Sequence, residues 1–583
     1  MDSCHKSSAD SSPNDASRLK SLFAEGKLVH PYLCKEFFQL VTSPTLSPNT
    51  IIIHDHVTLN FVDLAASLAI CCGAKPPLFT ATNDDISCSD SKNIIASIKE
   101  ENIHTRRLIL ASKIGGCRES NNTNIFHRRH IVLILCDGMG NSILQNALDN
   151  QSFFNRNNQN DRLRAVFPST TPAALTTLAT ASWPGIHGMP GWNLRDKKGC
   201  DFPGNNDNAN PPVQLLVLAD HIKDARSGLL ASEMGFDSWD DVFLQEPWAK
   251  HVGTFNSSGN ENKRRRMMYI NAYNGDDYQE WSQGTKNQNE KKRKYSDATD
   301  FSEWQMGKRT SKEQSTLFET AKIEETAFHT LGEPKGSADA IQYYRDGINA
   351  ALDLIARAEK DGESTFTYLY TAHPDKHMHS LGVEHQEVKN VLVGIERETE
   401  RFWRVLGDRE ALLCGNYDVD LKQEVRLKEG DAIDATIVLT ADHGHVTVQP
   451  EDMVSLPKCI LDLLEYACIG VHGKGRHGYL HCRAGLQKVL QQRWKATDVL
   501  HDHFLLLTID EAIEIGLFGP KSMRMEVRPR LGDFVSISIG KKTLVTPSEN
   551  DTFCKGCQCQ GAHGSLLPEE MNIPFVFLDS SKR

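Results

Sequence analysis

Residues 131–140, IVLILCDGMG, form a short apolar run that ends abruptly in an acidic residue and glycines. The run is rich in Ile, Val and Leu without alternation, which is typical of a strand buried on both faces of a parallel sheet. Such a strand delivers Asp137 to its carboxyl end, where doubly wound sheets collect ligands and catalytic groups. Asp137 is therefore a candidate ligand or base. Alternatively, it caps the helix predicted to begin near Asn141.

The same order of strand, polar segment and helix recurs further along the chain. Predicted strands cover 366–371, 436–440 and 575–578, and amphipathic helices are predicted over 337–360 and in the segment that follows the 366–371 strand. Because strands alternate with helices, we predict an α/β fold with a doubly wound, mostly parallel central sheet and helices on both faces. A large polar insertion interrupts it.

Length and composition narrow the class of protein. A chain of 583 residues exceeds the size at which a single core keeps growing, so one large domain with insertions, or two domains, is expected. No apolar run approaches the roughly 20 residues that span a bilayer, so no membrane role is predicted. The formal net charge of -11 argues against general affinity for nucleic acid.

The N-terminal residues 1–20 are polar, lack the apolar segment of a secretory signal and are predicted to be a disordered tail. We assign residues 1–125 to this tail and a leading segment, and 126–583 to a catalytic domain. The 15 cysteines are scattered and odd in number, which favours reduced thiols in the cytoplasm. The sequons at Asn121, Asn256 and Asn550 then carry no meaning.

Residues 195–334 are rich in Asn, Gly, Lys, Gln and Ser and are predicted to be a partly disordered insertion within the catalytic domain. Two basic runs, KRRR at 263–266 and KKRK at 291–294, lie in it. They could form a bipartite nuclear import signal or a nucleic-acid patch. A solvated flexible loop is the favoured interpretation of these runs. The predicted location of the protein is the cytoplasm, with the nucleus as the alternative.

A hydroxyl residue stands at a predicted helix start in FPSTTPAALTTLATASWPGIHG. Thr171 precedes Pro172, and a hydroxyl residue before a proline at the first helical position is typical of an N-cap. The free amides and positive dipole end of such a helix can hold a phosphate or another anion. A capping role alone is the alternative for Thr171.

Carboxylates and imidazoles follow the predicted strands at several points, and together they suggest a metal site. The set comprises Asp137, Asp375, His379, Asp442, His443 and His563. Mixed Asp and His sets suit zinc and also manganese or iron, and there are enough ligands for two divalent ions. Two ions about 3.5 to 4 Å apart can hold the attacking and leaving oxygens of a phosphoryl displacement. Thr171 beside a metal would become a nucleophile.

Five ordered motifs, CDGMG, FPSTTPAALTTLATASWPGIHG, PDKHMH, TADHG and GAHGSLLPEEM, resemble the alkaline phosphatase superfamily, specifically its nucleotide pyrophosphatase/phosphodiesterase-like branch. The resemblance covers about residue 130 to the C-terminus apart from the insertion. It implies that Thr171 is the covalent nucleophile. It also implies that one metal lies among Asp137, Thr171, Asp442 and His443, and the other among Asp375, His379 and His563.

Some positions depart from this pattern or leave the assignment open. Ala174 stands where the eukaryotic phosphodiesterases place an Asn that steadies a phosphoryl oxygen. Thr170 is the alternative nucleophile, and His477 is a rival to His563 as last ligand, although the GAHGSLLPEEM context favours His563. A further zinc could be held by three neighbouring thiols, but a Cys-rich loop is the favoured interpretation of Cys554, Cys557 and Cys559.

The sequence therefore predicts a hydrolase of phosphodiester or pyrophosphate bonds that uses two divalent ions, with zinc expected, and a phosphothreonine intermediate. Its partner would be a small phosphate-ester or nucleotide-like substrate. A phosphomonoesterase of the same superfamily is one alternative. A non-catalytic metal-binding scaffold or sensor of this fold is the other.

Overall fold

The computed structural model describes residues 14–42, 57–74, 100–120, 123–126, 128–159, 163–195, 214–217, 222–224, 243–251, 265–271, 323–325, 336–419, 421, 432–465, 475–520, 523–545 and 560–580. The α-helices in these ranges are α1 (Asp15–Glu25), α2 (Lys35–Thr42), α3 (Phe61–Cys71), α4 (Glu100–Gly115), α5 (Asn141–Ala147), α6 (Phe153–Asn157), α7 (Thr171–Thr180), α8 (Pro184–His187), α9 (Ser337–Asp361), α10 (Asp375–Leu381), α11 (Gln386–Leu406), α12 (Arg409–Cys414), α13 (Lys458–Leu461), α14 (Gln487–Lys495), α15 (Asp498–His503), α16 (Ile509–Ile515), α17 (Arg528–Leu531) and α18 (Pro568–Met571). Short 3₁₀ helices cover Trp248–His251 and Pro450–Asp452.

The strands are β1 (Cys117–Ser120), β2 (Thr123–Phe126), β3 (His130–Cys136), β4 (Leu163–Arg164), β5 (Asn193–Arg195), β6 (Gln214–Val217), β7 (Ile222–Asp224), β8 (Arg265–Asn271), β9 (Ile323–Glu325), β10 (Ser364–Thr371), β11 (Ala435–Thr440), β12 (Val446–Thr447), β13 (Met453–Ser455), β14 (His477–Leu480), β15 (Phe504–Thr508), β16 (Phe534–Ser538), β17 (Thr543–Val545), β18 (Gly561–Ala562), β19 (Asn572–Ile573) and β20 (Val576–Asp579). Among the described residues, no helix combines the length and apolar character needed to cross a bilayer.

The central sheet has six strands in the order β20, β11, β3, β10, β8, β9. All neighbours pair in parallel except β20, which runs antiparallel to β11 at the edge. Strands β3 and β11 are buried along their whole length, so both faces of the sheet are covered. Helix α9 packs on β10 and β8, and α4 packs on β11. The predicted α/β class with a mostly parallel central sheet is confirmed.

Strand β8 corrects the prediction that 195–334 is only an insertion. Residues 265–271 pair in parallel with β10 along seven positions and belong to the central sheet. Met267 and Ile270 in β8 are almost completely buried. Part of the KRRR run therefore begins a sheet strand, whereas KKRK at 291–294 lies outside the described residues. For the rest of the span, the insertion stays a prediction.

Replacing Ile270 by Ala tests whether β8 is integral to the fold. The side chain is fully buried in the sheet, so the change should lower the free energy of unfolding by about 2–5 kcal/mol. Urea unfolding monitored by circular dichroism measures this. An unchanged urea midpoint would show that β8 is dispensable for stability, as expected of an insertion.

The described N-terminal residues belong to the same core as the sheet, which corrects the predicted extent of the disordered tail. Helix α1 begins at Asp15, within the stretch predicted to be a disordered tail; residues 1–13 lie outside the described residues. Its Leu19 and Phe23 join the core that contains β3. Helix α3 is buried on nearly every side and packs on α4 and α7. The leading segment within residues 1–125 thus packs on the main domain and supports α7.

Candidate active site

Two carboxylates meet at the carboxyl edge of the central sheet because β3 and β11 end side by side. Leu135 pairs with Thr440, and the same register continued by two residues sets Asp137 opposite Asp442. Both residues are buried. The backbone N–H groups of Gly138 and His443 each donate to Asp442 Oδ1 at 3.0 Å, which fixes this carboxylate. The sheet itself therefore places the two acidic groups together.

His443 and Thr171 complete this first group. The Nε2 atom of His443 lies 3.2 Å from Thr171 Oγ1, 3.3 Å from Asp442 Oδ2 and 3.5 Å from Asp137 Oδ1. Its Nδ1 lies 2.9 Å from the Gly444 carbonyl oxygen, which can only accept a hydrogen bond. Nδ1 therefore carries the proton, and the Nε2 lone pair faces Thr171 and the carboxylates. All four predicted members of this site are close together.

The start of α7 corrects the predicted cap. Thr170 is the N-cap residue and Thr171 is the first helical residue, with Pro172 following it in the first turn. The Thr170 side chain makes no capping hydrogen bond. The prediction of a capping Thr171 is thus wrong by one residue, although Thr171 remains the hydroxyl that contacts His443. Ala174, which replaces the Asn expected from the resemblance, is fully buried one turn further on.

A second group surrounds Asp375, the first residue of α10. His379 Nε2 lies 3.3 Å from Asp375 Oδ2, and His563 Nε2 lies 3.9 Å from Asp375 Oδ1. The Nδ1 atoms of both histidines face carbonyl oxygens, Gly561 O at 2.8 Å and Ser169 O at 2.9 Å. Both imidazoles therefore hold their protons on Nδ1 and turn Nε2 towards the carboxylate.

The two groups adjoin each other through a glycine. Gly138 has φ of 71°, which suits glycine, and a Cβ there would lie 2.8 Å from Asp375 Cβ. The absence of a side chain thus allows α10 to approach the end of β3. The rings of His443 and His563 also stack with centroids 3.6 Å apart. One continuous buried centre results.

This centre concentrates negative charge away from water. Burial and the neighbouring Asp442 and Asp375 raise the pKa of Asp137 well above its usual value, while Tyr370 donates to Asp137 Oδ2 at 2.6 Å. Burial also raises the pKa of Asp442 to about 7, against the hydrogen bond from the Gly138 N–H. Burial acts on Asp375 in the same sense, but its pKa is lowered overall by the surrounding imidazoles, with His379 first. Among the described residues, the ion-pair partners of these three carboxylates are all imidazoles.

Divalent cations fit this chemistry. The buried Asp137 and Asp442 and the partly exposed Asp375 lie against imidazole nitrogens. A bound cation would offset the burial and the mutual repulsion that raise the pKa of Asp137 and Asp442. Two sets of residues have ligand atoms within 4.8 Å of one another: Asp375, His379, His445 and His563 form one, and Asp137, Asp375 and His443 form the other, so that Asp375 belongs to both. Carboxylate and imidazole donors are those that zinc accepts.

A buried ion pair supports the loops that carry His443 and His563. Arg476 contacts Glu570 through Nε at 3.1 Å and through a terminal nitrogen at 2.7 Å, and both residues are fully buried. The Glu570 backbone carbonyl accepts from Gly444 N–H at 2.8 Å, and its carboxylate accepts from Ser565 N–H at 3.0 Å. The pair therefore ties the residue after His443 to the segment after His563.

The rival ligand His477 lies elsewhere. It is buried at the start of β14, in ring contact with Phe167 and beside Gly191 and Gly564. It belongs to neither group of candidate ligands among the described residues, so the structure brings His563 rather than His477 to Asp375. Cys554, Cys557 and Cys559 lie outside the described residues.

His445 is the member of the centre that the sequence analysis missed. Its Nε2 lies 3.1 Å from Asp375 Oδ1, and the residue is 1% exposed. The available signal was its position two residues after His443 in TADHGH. Spacing alone does not show which of several nearby carboxylates such a histidine meets.

The family profile that matches this chain places the protein in a class of hydrolytic enzymes. Within it, the chain belongs to the type I phosphodiesterase/nucleotide pyrophosphatase family, because the profile of that family matches residues 131–566, well over half of the chain. The protein is thus a phosphoester hydrolase. No curated protein sequence gives a significant match.

Solved structures also resemble the chain. An inactive variant of murine ectonucleotide pyrophosphatase/phosphodiesterase 5 in complex with AMP has 12% identity and a TM-score of 0.44, covering 77% of this chain and 87% of that one. Phosphonoacetate hydrolase from Sinorhizobium meliloti in complex with phosphonoformate has 15% identity and a TM-score of 0.45, covering 79% and 92%.

Proposed function

We propose that the protein hydrolyses phosphodiester or pyrophosphate bonds of a small phosphate-ester or nucleotide-like substrate through a covalent phosphothreonine on Thr171. Two divalent cations, expected to be zinc, are required. The observation that carries this proposal is the 3.2 Å approach of Thr171 Oγ1 to His443 Nε2 beside two buried carboxylates. A hydroxyl so placed is the nucleophile, whereas a capping hydroxyl would face the helix amides.

The ligand sets follow the two groups of the centre. Asp137, Thr171, Asp442 and His443 would hold one cation, and Asp375, His379 and His563 would hold the other. When bound, the cations lower the pKa of the threonine hydroxyl and stabilise charge on the attacking and leaving oxygens.

The protein's own groups then position the reaction. Thr171 is 3% exposed, so its side chain is shielded from bulk water. The free amides in the first turn of α7 are suited to bind the phosphoryl oxygens of a substrate. Because Ala174 offers only a methyl group, these amides replace the amide side chain expected from the resemblance. Threonine Oγ1 bonds to phosphorus as the first alcohol or phosphate leaves, and water then cleaves the phosphothreonine.

A comparison of two chromogenic substrates tests this function. Purified protein with measured metal content is given bis(4-nitrophenyl) phosphate and 4-nitrophenyl phosphate. We expect higher kcat/KM for the diester, loss of turnover with a chelator and recovery with zinc. A preference for the monoester would favour the phosphomonoesterase alternative. Two bound metals without turnover of either ester, or of a dinucleotide pyrophosphate, would favour the scaffold or sensor.

A further inference from the structure

We propose that His445 is a fourth protein ligand of the cation held by Asp375, His379 and His563. The inference rests on the proposed metal dependence and adds a residue to it. With His445 included, the ligands of this cation are three imidazoles and one carboxylate. Without it, they are two imidazoles and one carboxylate. The consequence is that this cation is held more tightly than the other three residues alone would hold it.

Distances place His445 inside the group. Its Nε2 lies 3.1 Å from Asp375 Oδ1, nearer than the 3.9 Å of His563 Nε2 from the same oxygen. The His445 ring centroid lies 4.6 Å from that of His379 and 5.2 Å from that of His563. One ligand atom from each of the four residues falls within 4.8 Å of all the others.

Strand pairing explains why His445 reaches this position. Val446 pairs with Ala562 and Thr447 with Gly561 in the antiparallel ladder of β12 and β18. One further step of that register sets His445 opposite His563. Directly opposed residues of an antiparallel pair point their side chains to the same face. The two histidines therefore approach Asp375 together, as a result of backbone pairing.

The Cε1–Nδ1 edge of the His445 ring lies against Gly561. A Cβ at Gly561 would lie 2.7 Å from His445 Cε1 and 2.9 Å from His445 Nδ1. The glycine leaves just enough room for the ring on this edge, and Nε2 is the nitrogen that approaches Asp375. The Gly561 carbonyl oxygen also accepts a hydrogen bond from His379 Nδ1. One glycine therefore contacts two of the three imidazoles.

Four protein donors have a predictable effect on the cation. A further protein donor holds zinc more tightly, and a zinc ion with four protein ligands can still accept a substrate oxygen by becoming five-coordinate, so the added ligand is compatible with the proposed reaction. Loss of an outer partner of a ligand already weakens metal affinity by about 10- to 100-fold. Loss of a direct ligand at position 445 should weaken it by at least about ten-fold.

A competing role for His445 is to hold Asp375 by a hydrogen bond without touching the cation. Substitution by cysteine separates the two roles, because a thiolate bound to Co²⁺ gives a charge-transfer absorption that a nearby unbound thiol does not. The matched control is His377→Cys. His377 lies in the same helix as His379, two positions away and so on another side, and belongs to neither ligand group.

The test uses the full chain loaded with Co²⁺ and compares near-ultraviolet spectra. We expect a thiolate-to-cobalt band in His445→Cys that is absent from the wild type and from His377→Cys. A folded His445→Cys protein that binds two Co²⁺ ions without this band would overturn the inference and leave the proposed function intact. A wild type that binds neither Co²⁺ nor zinc would overturn both.

Metal release provides a second readout that does not depend on cysteine chemistry. Zinc transfer from His445→Gln to a chromogenic chelator should be at least about ten-fold faster for one of the two ions, while the other ion is released as in the wild type. Circular dichroism verifies the fold. Two ions released at wild-type rates from the folded glutamine variant would assign His445 to the hydrogen bond alone.

Discussion

Thr171→Ala is expected to abolish turnover of an aryl phosphodiester while the fold and the metal content stay close to those of the wild type. The change removes the only attacking oxygen in the proposed mechanism, but Asp137, Asp442 and His443 remain as ligands. The residue is the first of α7 and not its cap, so the free energy of unfolding should fall by only about 1 kcal/mol. Initial rates, metal analysis and thermal melting measure the three quantities.

Two control variants separate the nucleophile from its neighbour. Thr171→Ser keeps the attacking oxygen and should retain part of the activity, whereas Thr170→Ala should turn over the substrate because the Thr170 hydroxyl makes no capping hydrogen bond in the structure. Mass spectrometry of an acid-quenched reaction should find phosphate on Thr171. Phosphate on Thr170, or normal turnover by Thr171→Ala, would refute the mechanism.

The parts of the fold that could be predicted are those whose signal is local. β3 and β11 are mostly apolar runs, and β10 is rich in Thr, Tyr and Phe, residues that favour strands. Each of the three is followed by polar site residues. The observed register then brings Asp137 and Asp442 together, as expected from strands that end at one sheet edge. Strand order followed only from the structure.

Strand β8 could not be predicted because its signal is mixed. RRMMYIN begins with arginines that belong to a basic run, and its surroundings are polar. The strand is stabilised by pairing with β10, almost a hundred residues later in the chain, and by burial of Met267 and Ile270. Pairing between distant segments overrides local composition, so a prediction based on composition placed β8 within an insertion at 195–334.

The site shows the same division. Residues that directly follow strands were identified, and the GAHGSLLPEEM context favoured His563 over His477. The role of His445 depends on how β12 and β18 pair. The one-residue error at Thr171 has a different origin, because a hydroxyl residue stands at both 170 and 171 and either can precede a helix that contains Pro172. Helix ends are fixed by backbone angles that the sequence does not specify to one residue.

Asp442→Asn and His563→Ala are each expected to remove metal together with activity. Each change takes an anionic or imidazole donor from one of the proposed sites, and such sites bind their ions far more weakly after losing a ligand. The matched control is His477→Ala, which removes a buried histidine outside both ligand groups. It should keep two ions per chain. Full metal content in a folded His563→Ala protein would instead move the ligand role elsewhere.

Stability gives an independent measurement of the same prediction. Because ions bind the folded state, the wild type should melt at a higher temperature with metal than without. Its free energy of unfolding should rise by about 2.7 kcal/mol at a metal concentration 100 times Kd. Both variants should show a smaller gain. Thermal melting with and without added zinc measures this gain for all four proteins.

The pH dependence of the metal-free protein follows from Asp442. Its folded pKa of about 7 lies above the roughly 3.9 of an unfolded Asp, so the folded state binds more protons between these values and stability falls as pH rises from about 4 to about 7. Asn at 442 removes that buried charge. Between about pH 5 and pH 8, the free energy of unfolding of metal-free Asp442→Asn should therefore fall less than that of the metal-free wild type. For the wild type, the metal-induced gain should grow over the same range, because ligands must lose their protons to bind. A gain that is equal at both pH values would argue against Asp442 as a ligand.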